Sequence, residues 1–283
     1  RPPRPAIMCA HMPSRVEIPI LQIDAFADEP FTGNPAAVCL PAVEPPAGWM
    51  QQIAAEMNLS ETAFAWPSGD GYGLRWFTPV AEVDLCGHAT LATAFALWET
   101  GRVDCDDDIS FATRSGVLEV RREQDMIKMN FPAEPATSCE PPNGLAKALG
   151  AEILWCGQNR MDHLVEVANE QTLLDLRPDF ASLAGLDTRG VIVTAAAERD
   201  NVDFVSRFFC PVLGIDEDPV TGSAHCCLAP FWAGRLGRDE LTGFQASKRG
   251  GVVCCEVVCN RVELSGRAVK IFSGTMSAPP AGA

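Results

Sequence analysis

A near repeat of one short segment constrains the fold of this chain more than any other feature. Residues 75–80 read Arg-Trp-Phe-Thr-Pro-Val, and residues 207–212 read Arg-Phe-Phe-Cys-Pro-Val. Each copy leads through an acidic turn to a glycine that opens an apolar helical pattern. When three extra residues are allowed in the second turn, residues 86–89 align with residues 221–224. Agreement over a strand, a turn and a helix start predicts an internal duplication.

The repeat continues beyond the two helix starts. Residues 113–118 are matched by residues 248–253, and residues 126–129 are matched by residues 261–264. The one insertion in the second turn keeps these blocks in a common register. We therefore predict an α+β fold of two duplicated lobes, each a mostly antiparallel sheet wrapped around a central helix, with an active cleft between the lobes.

Proline placement indicates where the two lobes are joined. The chain has 283 residues, which is enough for two hydrophobic cores. Residues 132–142 contain four prolines and are typical of a linker. We predict a tail at residues 1–17, an N-terminal lobe at 18–134 and a C-terminal lobe at 140–278. Pro230 is expected to kink or end the second central helix, because proline removes one helical hydrogen bond.

Charge and cysteine content limit the possible partners and the compartment. The 22 basic and 37 acidic side chains give a net charge of −15, which disfavours nucleic acid and anionic membranes as partners. No apolar run approaches the ~18 residues of a membrane span, and the first residues lack the apolar core of a secretory signal. The twelve cysteines offer no paired metal-ligand spacing. We expect mostly buried, reduced thiols in a cytoplasmic protein without a metal.

The two predicted helix starts offer a place for an anionic ligand. Gly87 and Gly222 each stand at a helix N-terminus, where free N–H groups and the helix dipole favour negative charge. The plainer alternative is that Thr221 and Ser223 only cap a helix. A further alternative makes Cys86 a thiolate nucleophile activated at the helix start, but the lone Cys-x-His spacing favours a structural cysteine.

Several motifs together resemble one family. They are D-A-F and G-N-P-A-A-V near the start, N-L-S-E-T-A-F, F-T-P-V-A-E-V-D-L-C-G-H-A-T, G-I-D-E-D-P-V-T-G-S-A-H and Q-A-S-K-R-G-G. On these motifs, from about Ile18 to Thr275, the chain resembles the PhzF-like (phenazine biosynthesis-like) isomerases, which have the diaminopimelate epimerase fold.

The resemblance implies an isomerase that uses no cofactor and acts by acid–base catalysis on a small carboxylic acid, in a family whose members often form homodimers. It implies catalytic roles for Glu61, His88 and Asp218. It implies substrate-binding roles for Gly87, Gly222 and Ser223. Thr221 and Cys86 are added to the predicted substrate-binding residues because they lie in the same motifs.

A difference between the two halves bears on the mechanism. Racemases and epimerases of this fold use a thiol on each face of the stereocentre, whereas Cys86 aligns here with Thr221, whose hydroxyl is too weak an acid to replace a thiolate. A single carboxylate, Glu61, fits proton transfer on one face, provided that burial and Asp218 raise its pKa. A two-base amino-acid epimerase and a non-catalytic binding protein remain alternatives, and the physiological substrate is left open.

Overall fold

The computed structural model describes residues 17–277, and within them the chain forms eighteen strands and six α-helices. The predicted tail therefore lies almost entirely outside the described residues. The first half contains these elements: β1 (Glu17–Ala25), β2 (Asn34–Cys39), α1 (Ala47–Met57), β3 (Glu61–Ser68), β4 (Gly71–Phe77), β5 (Glu82–Val83), α2 (Gly87–Glu99), β6 (Ile109–Thr113), β7 (Gly116–Glu123) and β8 (Met126–Pro132).

The second half contains these elements: β9 (Thr137–Ser138), α3 (Leu145–Leu149), β10 (Trp155–Gln158), β11 (Asp162–Glu166), α4 (Glu170–Asp175), α5 (Phe180–Ala184), β12 (Gly190–Ala196), β13 (Phe204–Cys210), β14 (Ile215–Asp218), α6 (Gly222–Leu236), β15 (Glu240–Gln245), β16 (Gly251–Val258), β17 (Arg261–Gly266) and β18 (Ala268–Ser277).

Strand pairing confirms the duplicated α+β fold. In the first half β2 pairs in parallel with β3, and β4 pairs in parallel with β6; in the second half β11–β12 and β13–β15 are the parallel pairs. The other pairings are antiparallel. Thr62 lies opposite Phe77, and Val191 lies opposite Phe209. This register makes Gly190 the counterpart of Glu61.

The last strand of each repeat, β9 for the first and β18 for the second, pairs with a strand of the other repeat. β18 pairs with β1, β9 pairs with β10, and β8 and β17 pair antiparallel where the halves meet. The interpretation of residues 132–142 as a simple linker was therefore wrong in part. Thr137 and Ser138 lie opposite Gln158 and Gly157, so the proline-rich crossing carries its own short strand.

The two central helices are apolar on most sides because sheet surrounds them. Ten residues of α2 are buried, among them Ala89, Leu91 and Leu97, and eight residues of α6 are buried. Within residues 17–277, no helix is long and apolar enough to cross a membrane.

Pro230 does not end α6, which continues to Leu236. A proline has no N–H for the carbonyl four residues earlier, which belongs here to Cys226. That carbonyl accepts a hydrogen bond of 3.0 Å from the backbone N–H of Glu134, in the crossing segment. The donor from the other half replaces the missing helical bond, and this explains why the helix is not terminated.

Candidate active site

The starts of α2 and α6 lie directly against each other. A Cβ added to Gly87 would stand 3.5 Å from the Gly222 Cα, and one added to Gly222 would stand 3.4 Å from the Gly87 Cα. In the described part of the chain, neither N-cap residue, Cys86 or Thr221, makes a side-chain capping bond. The N-termini of α2 and α6, both without side-chain caps, therefore lie side by side. This arrangement favours the binding of an anionic group.

Glu61 reaches this junction from the start of β3. Its Oε2 lies 3.3 Å from Nε2 of His88, and the two side chains are 16% and 5% exposed. The atoms are close, but they are not aligned as a hydrogen bond, and both are buried without another partner among residues 17–277. Buried polar atoms are rarely left without a partner, so these two atoms are candidate contacts for a polar group of a ligand.

The surroundings of His88 favour one tautomer. The Asn34 amide nitrogen donates to Oδ1 of Asp218 at 2.9 Å and to the Val220 carbonyl at 2.8 Å, which uses both of its hydrogens. Nδ1 of His88, 3.3 Å from the same nitrogen, is left to accept from the Cys86 thiol at 3.5 Å. We infer that Nε2 carries the proton and points it toward Glu61.

Asp218 is held from several sides. Its carboxylate accepts hydrogen bonds from the Thr221 hydroxyl and from Asn34. Gln245 donates to the Asp218 carbonyl at 2.7 Å and accepts from the Thr221 N–H at 2.8 Å. Asn34 and Gln245 are fully buried. Neither was assigned a role from the sequence, although both lie in the G-N-P-A-A-V and Q-A-S-K-R-G-G motifs.

The electrostatics of the site favour the uncharged forms of Glu61 and His88. Burial raises the pKa of the Glu61 carboxyl above its ordinary value, and the charge of Asp218 raises it further, while the neighbouring Cys86 thiol lowers it. Burial also raises the pKa of Asp218, against hydrogen bonds from Thr221 and Asn34. Burial lowers the pKa of His88 to about 3, so the imidazole is neutral.

Arg189 stands on the second-half side of the junction and was missed by sequence reasoning. Its guanidinium donates to Oδ1 of the fully buried Asp162 at 2.8 Å and to the Ser223 hydroxyl at 3.0 Å. Its positive charge also lowers the pKa of Asp218. Arg189 precedes Gly190, the counterpart of Glu61, so the second half offers a cation beside the position where the first half offers a carboxylate.

All eight residues predicted for the site lie around this junction. Glu61, Cys86 and His88 form its first-half side. Asn34 connects Asp218 to this side, and the Thr221 hydroxyl donates a hydrogen bond to Asp218. Ser223, the counterpart of His88, contacts Arg189 instead of Glu61. The donor atoms of Glu61, Cys86 and His88 lie within 4.8 Å of one another, a set that could also hold a metal ion.

The raised pKa of Glu61 predicts how stability depends on pH. Its value rises from 4.5 to about 8, so the folded chain binds this proton more tightly than the unfolded chain. Its contribution to stability is therefore fully present below pH 4.5 and is lost as the pH rises toward 8. Glu61→Gln cannot ionise, and each pKa unit corresponds to about 1.4 kcal/mol. We expect the variant to become progressively more stable than the wild type as the pH rises through this window.

Urea denaturation of both proteins at several pH values measures this difference in the free energy of unfolding. A gap that stays constant with pH would show that the Glu61 carboxyl has an ordinary pKa in the folded protein.

Comparison with known proteins gives a consistent set of matches. A family model described as phenazine biosynthesis-like protein (PhzC-PhzF) matches residues 23–274. An uncharacterized isomerase of Pseudomonas aeruginosa is 51% identical over 269 residues, which cover 92% of this chain and 99% of that protein. A solved PhzF-family phenazine biosynthesis protein from Enterococcus faecalis has a TM-score of 0.88 and 44% identity, over 92% of this chain and 99% of that one.

A more distant structure shares the fold alone. A hydroxyproline epimerase from Agrobacterium vitis has a TM-score of 0.63 at 11% identity, with 94% of each chain covered. The nearer matches confirm the family resemblance, and this structure agrees with the fold class that the sequence motifs predicted.

Proposed function

The chain belongs to the phenazine biosynthesis-like (PhzC-PhzF) family, and from this membership and the site geometry we propose a cofactor-independent isomerase that moves a proton within a small carboxylic acid. Membership by itself supports an isomerase or epimerase-like function, since the Pseudomonas aeruginosa relative is named an isomerase. The proposal adds a mechanism in which Glu61 is both the base and the acid.

One observation carries the proposal: a single carboxylate with a raised pKa faces the unpartnered Nε2 of a buried imidazole beside two helix N-termini. A carboxyl group whose pKa lies near neutrality suits general acid–base catalysis. In the proposed reaction the Glu61 carboxylate takes a proton from an activated carbon of the acid. It then returns a proton to a second carbon on the same face, so the double bond moves and Glu61 regains its charge.

The other groups are assigned to holding charge and position. The amides of Gly87 and Gly222 bind the substrate carboxylate and the negative charge that develops when the proton leaves. The N–H of His88 orients the Glu61 carboxylate or the reacting oxygen. Asp218 keeps a proton near Glu61 through the mutual repulsion of the two carboxylates.

The environment of the Cys86 thiol disfavours the alternative of a two-base epimerase. Burial and the charge of Glu61 raise the pKa of Cys86 well above its ordinary value, which favours the uncharged thiol. Its counterpart is Thr221, whose hydroxyl donates a hydrogen bond to Asp218. The pair therefore lacks a second thiol, and the first thiol is a poor base.

Arg189 supports an anionic substrate. Its side chain is 29% exposed, and it lies beside Ser223 at the start of α6. Its guanidinium can bind a second polar or anionic group of the acid, although the net charge of the chain is strongly negative.

The proposal is tested by proton exchange with the solvent. The metal-stripped protein is incubated in D₂O with a panel of small unsaturated, hydroxy and amino acids, and NMR follows deuterium uptake and double-bond position. We expect at least one unsaturated or activated acid to be isomerised without any added cofactor. Exchange confined to the α-carbon of amino acids, with inversion, would favour the epimerase. Binding of acids without exchange or isomerisation of any of them would favour the non-catalytic binding protein.

A further inference from the structure

A second group of metal-binding side chains lies on the first three strands of the second half. Cys156 is in β10 and His163 is in β11, while Cys139 directly follows β9. The Cys139 N–H donates to the Cys156 carbonyl at 3.1 Å, so these two residues lie opposite each other. His163 pairs with Gln158, two positions after Cys156. Side chains alternate along a strand, and this register brings all three to one face of the sheet.

The donor atoms are close enough to share an ion. The two sulfur atoms are 4.0 Å apart, and each lies within 4.8 Å of an imidazole nitrogen of His163. Tetrahedral zinc with bonds of ~2.3 Å to sulfur holds two thiolates about 3.8 Å apart. The three residues therefore need to move by only small amounts to bind zinc.

The imidazole supplies an independent observation. His163 is 6% exposed, and its Nδ1 is buried without a hydrogen-bond partner among residues 17–277. A buried ring nitrogen without a partner is costly unless some group satisfies it. Packing alone leaves this nitrogen unexplained. A disulfide between the cysteines would leave it unexplained as well, and would require the sulfurs to approach to about 2.05 Å.

The cluster also has a route of entry and a structural consequence. Cys139 is only partly buried, whereas Cys156 is 4% exposed. An ion bound here would join three neighbouring strands, β9, β10 and β11. β9 has two residues and ends the crossing from the first half, so it is held by few backbone hydrogen bonds.

We propose that Cys139, Cys156 and His163 bind one zinc ion, with water in the fourth position, and that the ion fastens the crossing segment to the second half. The site is separate from the proposed catalytic residues, and it does not depend on the function proposed above. Ligands that bind only the folded chain stabilise it by mass action, so zinc is expected to raise the midpoint of thermal unfolding.

Zinc content after reconstitution tests the proposal on the untagged protein. We expect one equivalent in the wild type by equilibrium dialysis, and loss of that equivalent in Cys139→Ser and His163→Gln. The exposed cysteines provide matched controls, so Cys105→Ser and Cys259→Ser should retain it. Circular dichroism confirms that each variant is folded, and the partly buried Cys139 gives the variant that least disturbs the core.

Two further readouts locate the ion. Cobalt in place of zinc should give thiolate-to-metal charge-transfer bands that disappear in Cys139→Ser. Cys86→Ser separates this cluster from the donors at the catalytic site and should leave the zinc stoichiometry unchanged. The proposal is overturned if the wild type binds no zinc, if Cys139→Ser and His163→Gln still bind it, or if only Cys86→Ser loses it.

Discussion

Glu61→Gln is expected to lower the turnover number by about 100- to 10,000-fold on any acid that the wild type isomerises. Glutamine has nearly the same shape and can still contact His88, but it cannot take up and release the proton. The substitution also removes the repulsion with Asp218, so the fold should be retained or stabilised at neutral pH. The loss should therefore appear in kcat without loss of folded protein.

Glu56→Gln is the matched control for this variant. Glu56 is an exposed glutamate on α1, five positions before Glu61, so the same Glu-to-Gln substitution can be made there. Steady-state kinetics should give wild-type rates for the control, since surface substitutions change little. Equal turnover by Glu61→Gln and the wild type would remove Glu61 from the mechanism.

Gly33→Ala is expected to destabilise the fold by more than about 3 kcal/mol, through backbone strain and a steric clash. Gly33 has a φ of 64°, and an added Cβ would lie 2.2 Å from the Ala25 carbonyl oxygen. The turn also accepts a 2.9 Å hydrogen bond from Arg249, which in turn pairs with the buried Asp24. Displacement of this turn would move Asn34 and so disturb the candidate active site.

Gly69→Ala separates the clash from the backbone strain. Gly69 has a φ of 58°, similar to that of Gly33, but a Cβ there would meet no atom within 4 Å. Its replacement should cost only the strain of a left-handed alanine, about 1–2 kcal/mol. Urea denaturation gives both free energies. Equal losses in the two variants would show that the turn around Gly33 relaxes easily.

The duplication was the part of the fold that the sequence made predictable. Strand, turn and helix recur in one register, and the pairing of Val191 with Phe209 and of Thr62 with Phe77 follows that register. The crossing of β9 and β18 was not predictable, because pairing between distant strands leaves no local pattern. For the same reason the sequence did not show whether Pro230 would end α6: the donor that compensates for it comes from residue 134.

The candidate site was predictable through its motifs, but its supporting contacts were not. Glu61 stands alone as an ordinary glutamate in the sequence, and only the resemblance gave it a role. Asn34, Gln245 and Arg189 act through hydrogen bonds that span the two halves or the two sides of the junction. Such contacts depend on side-chain placement in three dimensions, which residue spacing does not encode.

The asymmetry between the halves explains why a duplicated fold would carry out one-sided chemistry. The first half contributes Glu61 and His88, while their counterparts, Gly190 and Ser223, offer no side chain that can act as a general base at neutral pH. In the proposed mechanism the second half instead provides Arg189, which binds the substrate and does not react. Under the proposed function, duplication built two helix starts for the ligand, and divergence left a single base.

Solvent exchange in two variants tests this central claim most directly. Wild type, Glu61→Gln and Cys86→Ser are incubated in D₂O with an acid that the wild type converts, and mass spectrometry measures deuterium uptake over time. A single-carboxylate mechanism predicts that exchange is abolished in Glu61→Gln and persists in Cys86→Ser. Exchange that persists in Glu61→Gln and is lost in Cys86→Ser would contradict it and assign the proton to the thiol.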